Sequence, residues 1–180
     1  DHRDLHSFPT RRSSDLVAIN NTRSRALEAL VNFGYWVRRY DEDAEISELS
    51  EILDKRFSKN VIYPLSLPER AILGLQFQRI WGLDNSWAEA NESHFFPRGD
   101  TVIWVEAFSA FIKFNSPFLR IFEVLKDDFI FAINHLDLLG DDNESEHEVI
   151  DVLGQHLFTY YLWDGSEEHT SELQSLTNLV

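Results

Sequence analysis

The sequence predicts an all-α protein, an irregular helical array of about seven helices. Three observations predict it. Apolar residues recur at three- and four-residue spacing over runs of ten to eighteen residues, which is the period of a helix with a buried stripe. Cap residues and prolines stand at the starts and stops of those runs. The links between runs are short, as in helices packed against their chain neighbours.

The most apolar run is Thr101 to Phe114, TVIWVEAFSAFIKF, and the other segments are organised to cover it. Val102 to Val105 are four consecutive apolar residues, so strict strand alternation fails, although the β-branched start suits a strand buried on both faces. Fourteen residues without a turn signal are long for a strand. Ile103, Ala107, Ala110, Phe111 and Phe114 fall on one helical stripe, and only Thr101, Glu106, Ser109 and Lys113 are polar. The run therefore reads as a helix buried around most of its circumference, capped by Asp100 and stopped by Asn115-Ser116-Pro117. It is too short to span a bilayer, and it contains Glu106 and Lys113.

In chain order, Asn20-Asn21-Thr22 supplies cap residues for a helix from Arg23 to Tyr40. Leu27, Leu30, Val31, Gly34 and Val37 form its main face. Ala26, Ala29, Phe33 and Trp36 widen that face, so the helix is expected to be covered on two sides, with Arg23, Arg25, Arg38 and Arg39 outside. Gly34 costs about 1 kcal/mol against alanine in a helix interior and implies a close crossing. An acidic turn leads to a helix over Glu45 to Phe57, with Asp43 as its cap, Ile46, Leu49, Ile52, Leu53 and Phe57 inward, and Lys55-Arg56 in its last turn. After an irregular link, Ser66-Leu67-Pro68-Glu69 has the hydroxyl, early proline and third-position carboxylate of a capped helix start. Ile72, Leu73, Leu75, Phe77, Ile80, Trp81 and Leu83 give that helix a broad apolar surface. Asn85 or Ser86 opens a shorter helix that ends at Phe95-Phe96-Pro97. Ser116-Pro117 begins a segment to Leu125, and Asp127 to Leu139 continues it, straight or broken near Lys126-Asp127-Asp128. Gly140 to Ser145 is an acidic loop. Glu146 to Trp163 is the last helix, with Val149, Val152, Leu153, Leu157, Tyr160 and Tyr161 inward. No clean repeat period appears.

The two ends have a different character. Residues Asp1 to Leu16, DHRDLHSFPTRRSSDL, resemble one reading frame of a short-read sequencing adapter at every position, and Ser166 to Val180, SEEHTSELQSLTNLV, resemble the opposite adapter. The expectation is that both are adapter-encoded, disordered and without evolved function, and that 17–165 is one helical, repeat-like domain cut from a longer protein. The absence of methionine agrees, since no initiator is then included. Sequencing the source DNA across both junctions tests this, and genomic continuity through Leu16 or Ser166 would sink it.

The formal net charge is −15. The first tail is neutral, with Asp1, Asp4 and Asp15 against Arg3, Arg11 and Arg12, and the second holds −3 at Glu167, Glu168 and Glu172, which leaves −12 on residues 17–165. So acidic a domain is a poor partner for phosphate backbones and for anionic membrane surfaces. The chain has no cysteine, which excludes disulfides and thiolate catalysis and suits the cytoplasm. A composition 43% hydrophobic and 13% aromatic is that of a chain able to bury a core.

The sequence names no chemistry. It contains no phosphate-cradling glycine loop and none of the GxSxG, HExxH or GxGxxG patterns. His135 and Asp137, followed by Asp141, Asp142, Glu144, Glu146 and His147, are residue types that ligate metals. They miss the calcium-loop pattern, because Glu146 stands where glycine belongs and Val152 where glutamate does, so the reading is a solvated acidic loop. His94, before Phe95-Phe96, reads as a packing or capping residue rather than a base. Trp36, Trp81, Trp87, Trp104 and Trp163 all lie in apolar helical patterns and read as packing contacts; exposed together, they would mark a partner surface. No catalytic, cofactor-binding or metal residue is assigned.

Three features together, NNTRSRALEAL at Asn20–Leu30, PERAILGLQF at Pro68–Phe77, and the set Trp87, Phe96-Pro97, Trp104, Phe108 and Phe114, are similar to the helix-rich C-terminal region of very large bacterial proteins. Those proteins carry an N-terminal effector of NACHT or STAND type, or a sirtuin-like one, and many resemble antiviral defence systems. The resemblance implies a HEAT-like α-solenoid fragment, a non-catalytic scaffold or sensor that touches a protein partner or the rest of its parent chain, with catalysis elsewhere. Two other classes stand beside it: a small enzyme with an acidic metal site between His135 and His147, and a stand-alone helical adaptor.

Overall fold

Every regular element is helical in the computed structural model, which describes residues 21–42, 44, 46–58, 61–140 and 148–163. Both adapter-like tails, the Asp43 cap and the acidic loop with its candidate ligands from Asp141 to His147 lie outside those residues. The described residues fall into two units, one ending at Phe114 and the other beginning at Asn115.

The first unit contains α1 (Thr22–Tyr40), α2 (Ser47–Phe57), α3 (Leu67–Leu83), α4 (Asn85–Ala90), α5 (Glu92–Phe95) and α6 (Thr101–Phe114). Asn21 caps α1 through its side-chain oxygen, which accepts from the Arg23 amide at 2.9 Å. Asp100 does the same for α6, accepting from the Ile103 amide at 3.2 Å. Helix α6 is buried on most sides, as its composition predicts. The buried set is Trp104, Val105, Ala107, Phe108, Ala110, Phe111 and Ile112; the predicted stripe is wrong at its ends, since Phe114 is exposed and Ile103 half-buried.

Helix α3 is the partner of α6, and the two backbones touch. A Cβ built on Gly74 would lie 2.0 Å from the Ala107 carbonyl oxygen, so only glycine lets the helices approach this closely. Around the crossing, Phe77 meets Phe95, Phe96 and Phe111 edge-on, with ring centres 5.0, 5.1 and 6.4 Å away. Each such ring contributes about 2–3 kcal/mol on leaving water, with more from edge-to-face geometry. Gly34 plays a milder version of the same part, its missing Cβ making room for side-chain atoms of Leu83 and Ile46.

Helix α1 corrects the expectation of two-sided cover. Ser24, Leu27, Val31 and Gly34 are buried, but Phe33 and Trp36 on the other side are exposed. Its arginines divide as well. Arg23, Arg25 and Arg39 are exposed, although Arg23 pairs with Glu69, whereas the half-buried Arg38 donates to the carbonyls of Ala44 and Leu83, at 3.3 and 2.5 Å. Helix α2 begins at Ser47 and buries Leu49 and Leu53; Ile52 is exposed.

The second unit contains α7 (Leu119–Val124), α8 (Lys126–Asn134), α9 (Leu136–Leu139) and α10 over 148–163. Ile121, Leu125, Phe129, Ala132, Leu139, Val149, Leu153 and Tyr160 form its core. Tyr161, predicted inward, is exposed.

The described residues hold ten helical segments rather than about seven, because stretches read as single helices are broken. At Asn91 the side-chain amide donates to the Trp87 carbonyl at 2.9 Å, sharing the acceptor that the backbone of a continuing helix would use. At His135 the ring Nδ1 takes the Phe131 carbonyl at 2.9 Å, and the His135 amide falls back on Ala132. At His135 the side chain has taken the carbonyl four residues back, whereas at Asn91 the backbone amide still reaches the Trp87 carbonyl at 3.1 Å and shares it with the side chain. The third break is at Leu125, just before the expected Lys126-Asp127-Asp128.

Candidate functional site

The buried polar groups show first what chemistry is on offer. Glu69 is 1% exposed and sits between charged partners. Its Oε2 accepts from the Ser66 amide at 2.9 Å and from the Ser66 hydroxyl at 2.7 Å, the carboxylate half of a capping box. Arg56 pairs with Oε1 at 2.7 Å and Arg23 with Oε2 at 3.1 Å. Burial by itself pushes this carboxyl up, but the two Ser66 bonds and the two guanidiniums outweigh it and hold Glu69 below the ordinary glutamate value of 4.5. Arg56 also donates to the Tyr63 carbonyl and Arg23 to that of Pro64, at 2.9 and 3.1 Å, so the cluster ties α1, α2 and the link into α3 together. Every acceptor on the carboxylate is engaged in structure, and it is an anchor rather than a base.

An open groove of about 570 Å³ lies among Arg38, Ile46, Ser50, Trp81, Leu83 and Asp84. Most of its polar side chains are likewise committed. Arg38 holds two carbonyls, Ser50 donates to the Ser47 carbonyl, Trp81 donates to Glu89, and Asp84 caps α4 by accepting from the Trp87 amide. Nothing there pairs a nucleophile with a base.

The histidines read by sequence fall out as follows. His94 is exposed and stacks on Phe57 at 5.4 Å, while its carbonyl accepts from Arg70 at 2.7 Å, which is the packing role. His135 stacks on Phe131 at 4.1 Å while bonding its carbonyl. Asp137 is exposed, and among the described residues no three His, Cys, Asp or Glu side chains are placed to hold a metal ion. His156, which sequence reading passed over, is buried in the second unit beside Phe129 and Tyr160. Burial lowers its pKa from 6.5, against a smaller upward pull from its bond to the Asn115 carbonyl. Only its position on the inner stripe of α10, four residues before Tyr160, signalled this.

The surface offers more. Trp104 alone of the five tryptophans is buried; Trp81 and Trp87 are half-buried with their indole N–H groups on Glu89 and Asp54. Trp36 is exposed in company, stacked with Phe33 at 6.1 Å and edge-on to Tyr40 at 5.1 Å. In the second unit Ile130, Ile133 and Leu136 are exposed on α8 and α9, as are Phe158, Tyr161 and Leu162 on α10. Single exposed apolar residues are ordinary, but contiguous apolar helix faces mark contact surfaces. Among the described residues, no helix is long and apolar enough to cross a membrane. No family model, curated protein or solved structure matches the chain.

Proposed function

We propose that this chain is a non-catalytic helical scaffold or sensor segment of a larger intracellular bacterial protein, acting through protein contacts in a defence or signalling system. The observation that supports it is the Phe33–Trp36–Tyr40 face of α1: a helix buried on one side and aromatic on the other has the surface of an internal member of a stack. A HEAT-like arrangement is the finer form of this reading, since such arrays leave helices with a partner-facing side. The defence assignment rests on the packing motifs at Asn20–Leu30 and Pro68–Phe77 and places the effector module elsewhere in the parent chain.

The test is turnover. The purified chain is incubated with nucleoside triphosphates, NAD and simple ester and phosphoester substrates, with and without divalent metals. The expected result is no hydrolysis above the buffer rate; hydrolysis that tracks the protein through purification overturns the scaffold reading.

A further inference from the structure

Helix α1 has a second periodicity besides its buried stripe. Thr22, Ala26, Ala29, Phe33, Trp36 and Tyr40 alternate four- and three-residue steps, and all six are exposed. Such a four-three alternation is the seam of a helix that packs lengthwise against another helix. The three aromatic members are 45%, 57% and 75% exposed yet already stacked on one another. The opposite side, Leu27, Val31 and Gly34, is buried, so the seam is a separate face.

The seam has a charge. Arg25, Asn32 and Arg39 flank it at seven-residue steps. Asn32 is tied to Arg79 at 2.8 Å, leaving the outer two as exposed cations. Arg23 is paired with Glu69, and Arg38 with two carbonyls, as above. The helix holds four arginines against Glu28 alone, in a chain of net charge −15, so its basic edge is a local feature against the trend of the molecule. A second copy of α1 fits poorly. Antiparallel pairing about a two-fold axis sets Arg25 against the other copy's Arg39, twice, and like charges across a helix seam are repulsive.

We infer that the outer face of α1 receives an amphipathic helix of a partner protein, apolar along its own 3-4 seam and edged with Asp or Glu. This rests on the scaffold reading and gives it a surface and a partner chemistry. The aromatic seam supplies apolar burial, and Arg25 and Arg39 fix register and choice of partner.

Two fluorescein-labelled synthetic peptides of about 20 residues, with leucine at seam positions and either Glu or Lys at every flanking position, test this on the full chain by anisotropy. The Glu peptide is expected to bind about tenfold or more tighter than the Lys peptide, and the Arg25→Glu/Arg39→Glu variant to invert the order. Phe33→Ser/Trp36→Ser is expected to weaken the Glu peptide by at least about tenfold while leaving the far-ultraviolet circular dichroism unchanged. Equal affinity for both peptides, absent binding, or a preference that the arginine variant leaves intact overturns the inference. So does a dimer in sedimentation that the Phe33→Ser/Trp36→Ser variant dissolves, which would give the face to a second copy. A rise in peptide affinity on Phe8→Ser/Leu16→Ser would give it to residues 1–20 and overturn it equally. Lack of peptide binding without turnover removes the assignment of α1 alone; turnover removes the scaffold reading.

Discussion

Replacing Gly74 by alanine adds one methyl group at the place where α3 and α6 touch. The added carbon would stand 2.0 Å from the Ala107 carbonyl oxygen, 2.7 Å from the carbonyl carbon and 2.9 Å from the Ala107 Cα. Real Cβ atoms essentially never come within 3.0 Å of another heavy atom, so the obstacle, which is backbone and cannot swing aside, has to retreat by about 1 Å. A radial gap of about 0.5–1 Å forfeits a quarter to a half of each dispersion contact, and the contacts at stake include Phe77 against Phe111. Overpacking of this kind costs about 1–3 kcal/mol, with loosened packing adding to it. The better helix propensity of alanine returns about 1 kcal/mol. Because the clash is with backbone, the cost lies at the top of that range, and the expected net loss is about 2 kcal/mol, a large part of the stability of a small domain. Trp36, Trp81, Trp87 and Trp104 all lie in the first unit, so urea unfolding followed by tryptophan fluorescence reads the unit that contains the substitution. An unchanged or raised midpoint for Gly74→Ala would show that the helices are not in backbone contact and would refute the reasoning.

Gly154→Ala is the converse case: nothing lies within 4 Å of its missing Cβ in the middle of α10, so the substitution is expected to stabilise by about 0.5–1 kcal/mol, read as a raised thermal midpoint in circular dichroism. Glu69→Gln leaves Arg23 and Arg56 facing a neutral amide and is expected to cost about 3 kcal/mol at neutral pH in a urea titration. Because the folded pKa of Glu69 is lowered, its contribution is fully present above 4.5 and is lost as pH falls through the folded value; the difference between wild type and Glu69→Gln should shrink over that acid range, and a constant difference would contradict the ion pairing. His156 is neutral in both states above its unfolded value of 6.5, and below it the unfolded chain takes the proton first, so stability should fall with acidification by up to about 1.4 kcal/mol per pH unit from this group. His156→Gln should flatten the profile between neutral pH and the folded value of the histidine, and an unaltered slope would place the histidine in water.

The helices were legible because their limits are written locally. Asn21, Ser66 and Asp100 are cap residues beside apolar runs, and Pro68 and Pro117 sit where a helix starts or has just stopped. The breaks at Asn91 and His135 were not legible, since either residue is tolerated within a helix and the competing bond depends on a rotamer. The exposed side of α1 was misread for a physical reason: apolar periodicity marks a face as suited to burial and says nothing about whether anything in the same chain buries it. Ser66-Leu67-Pro68-Glu69 revealed the cap. It gave no hint that Arg23 and Arg56, 46 and 13 residues away from Glu69, converge on the same carboxylate, because pairing at that distance is decided by how α1 and α2 cross α3.

The break at Asn91 has a kinetic side. It divides the connection from α3 to α6 into helices of six and four residues, both far below the length at which a helix persists alone in water. Their turns survive because Phe95 and Phe96 are sealed among the rings of Phe77 and Phe108. An uninterrupted helix over the same residues would stand closer to the length that persists alone. The broken one has nothing to gain before α3 and α6 have met, so its amides should become protected from hydrogen exchange together with the crossing at Gly74, and residues 85–96 close the unit rather than begin it.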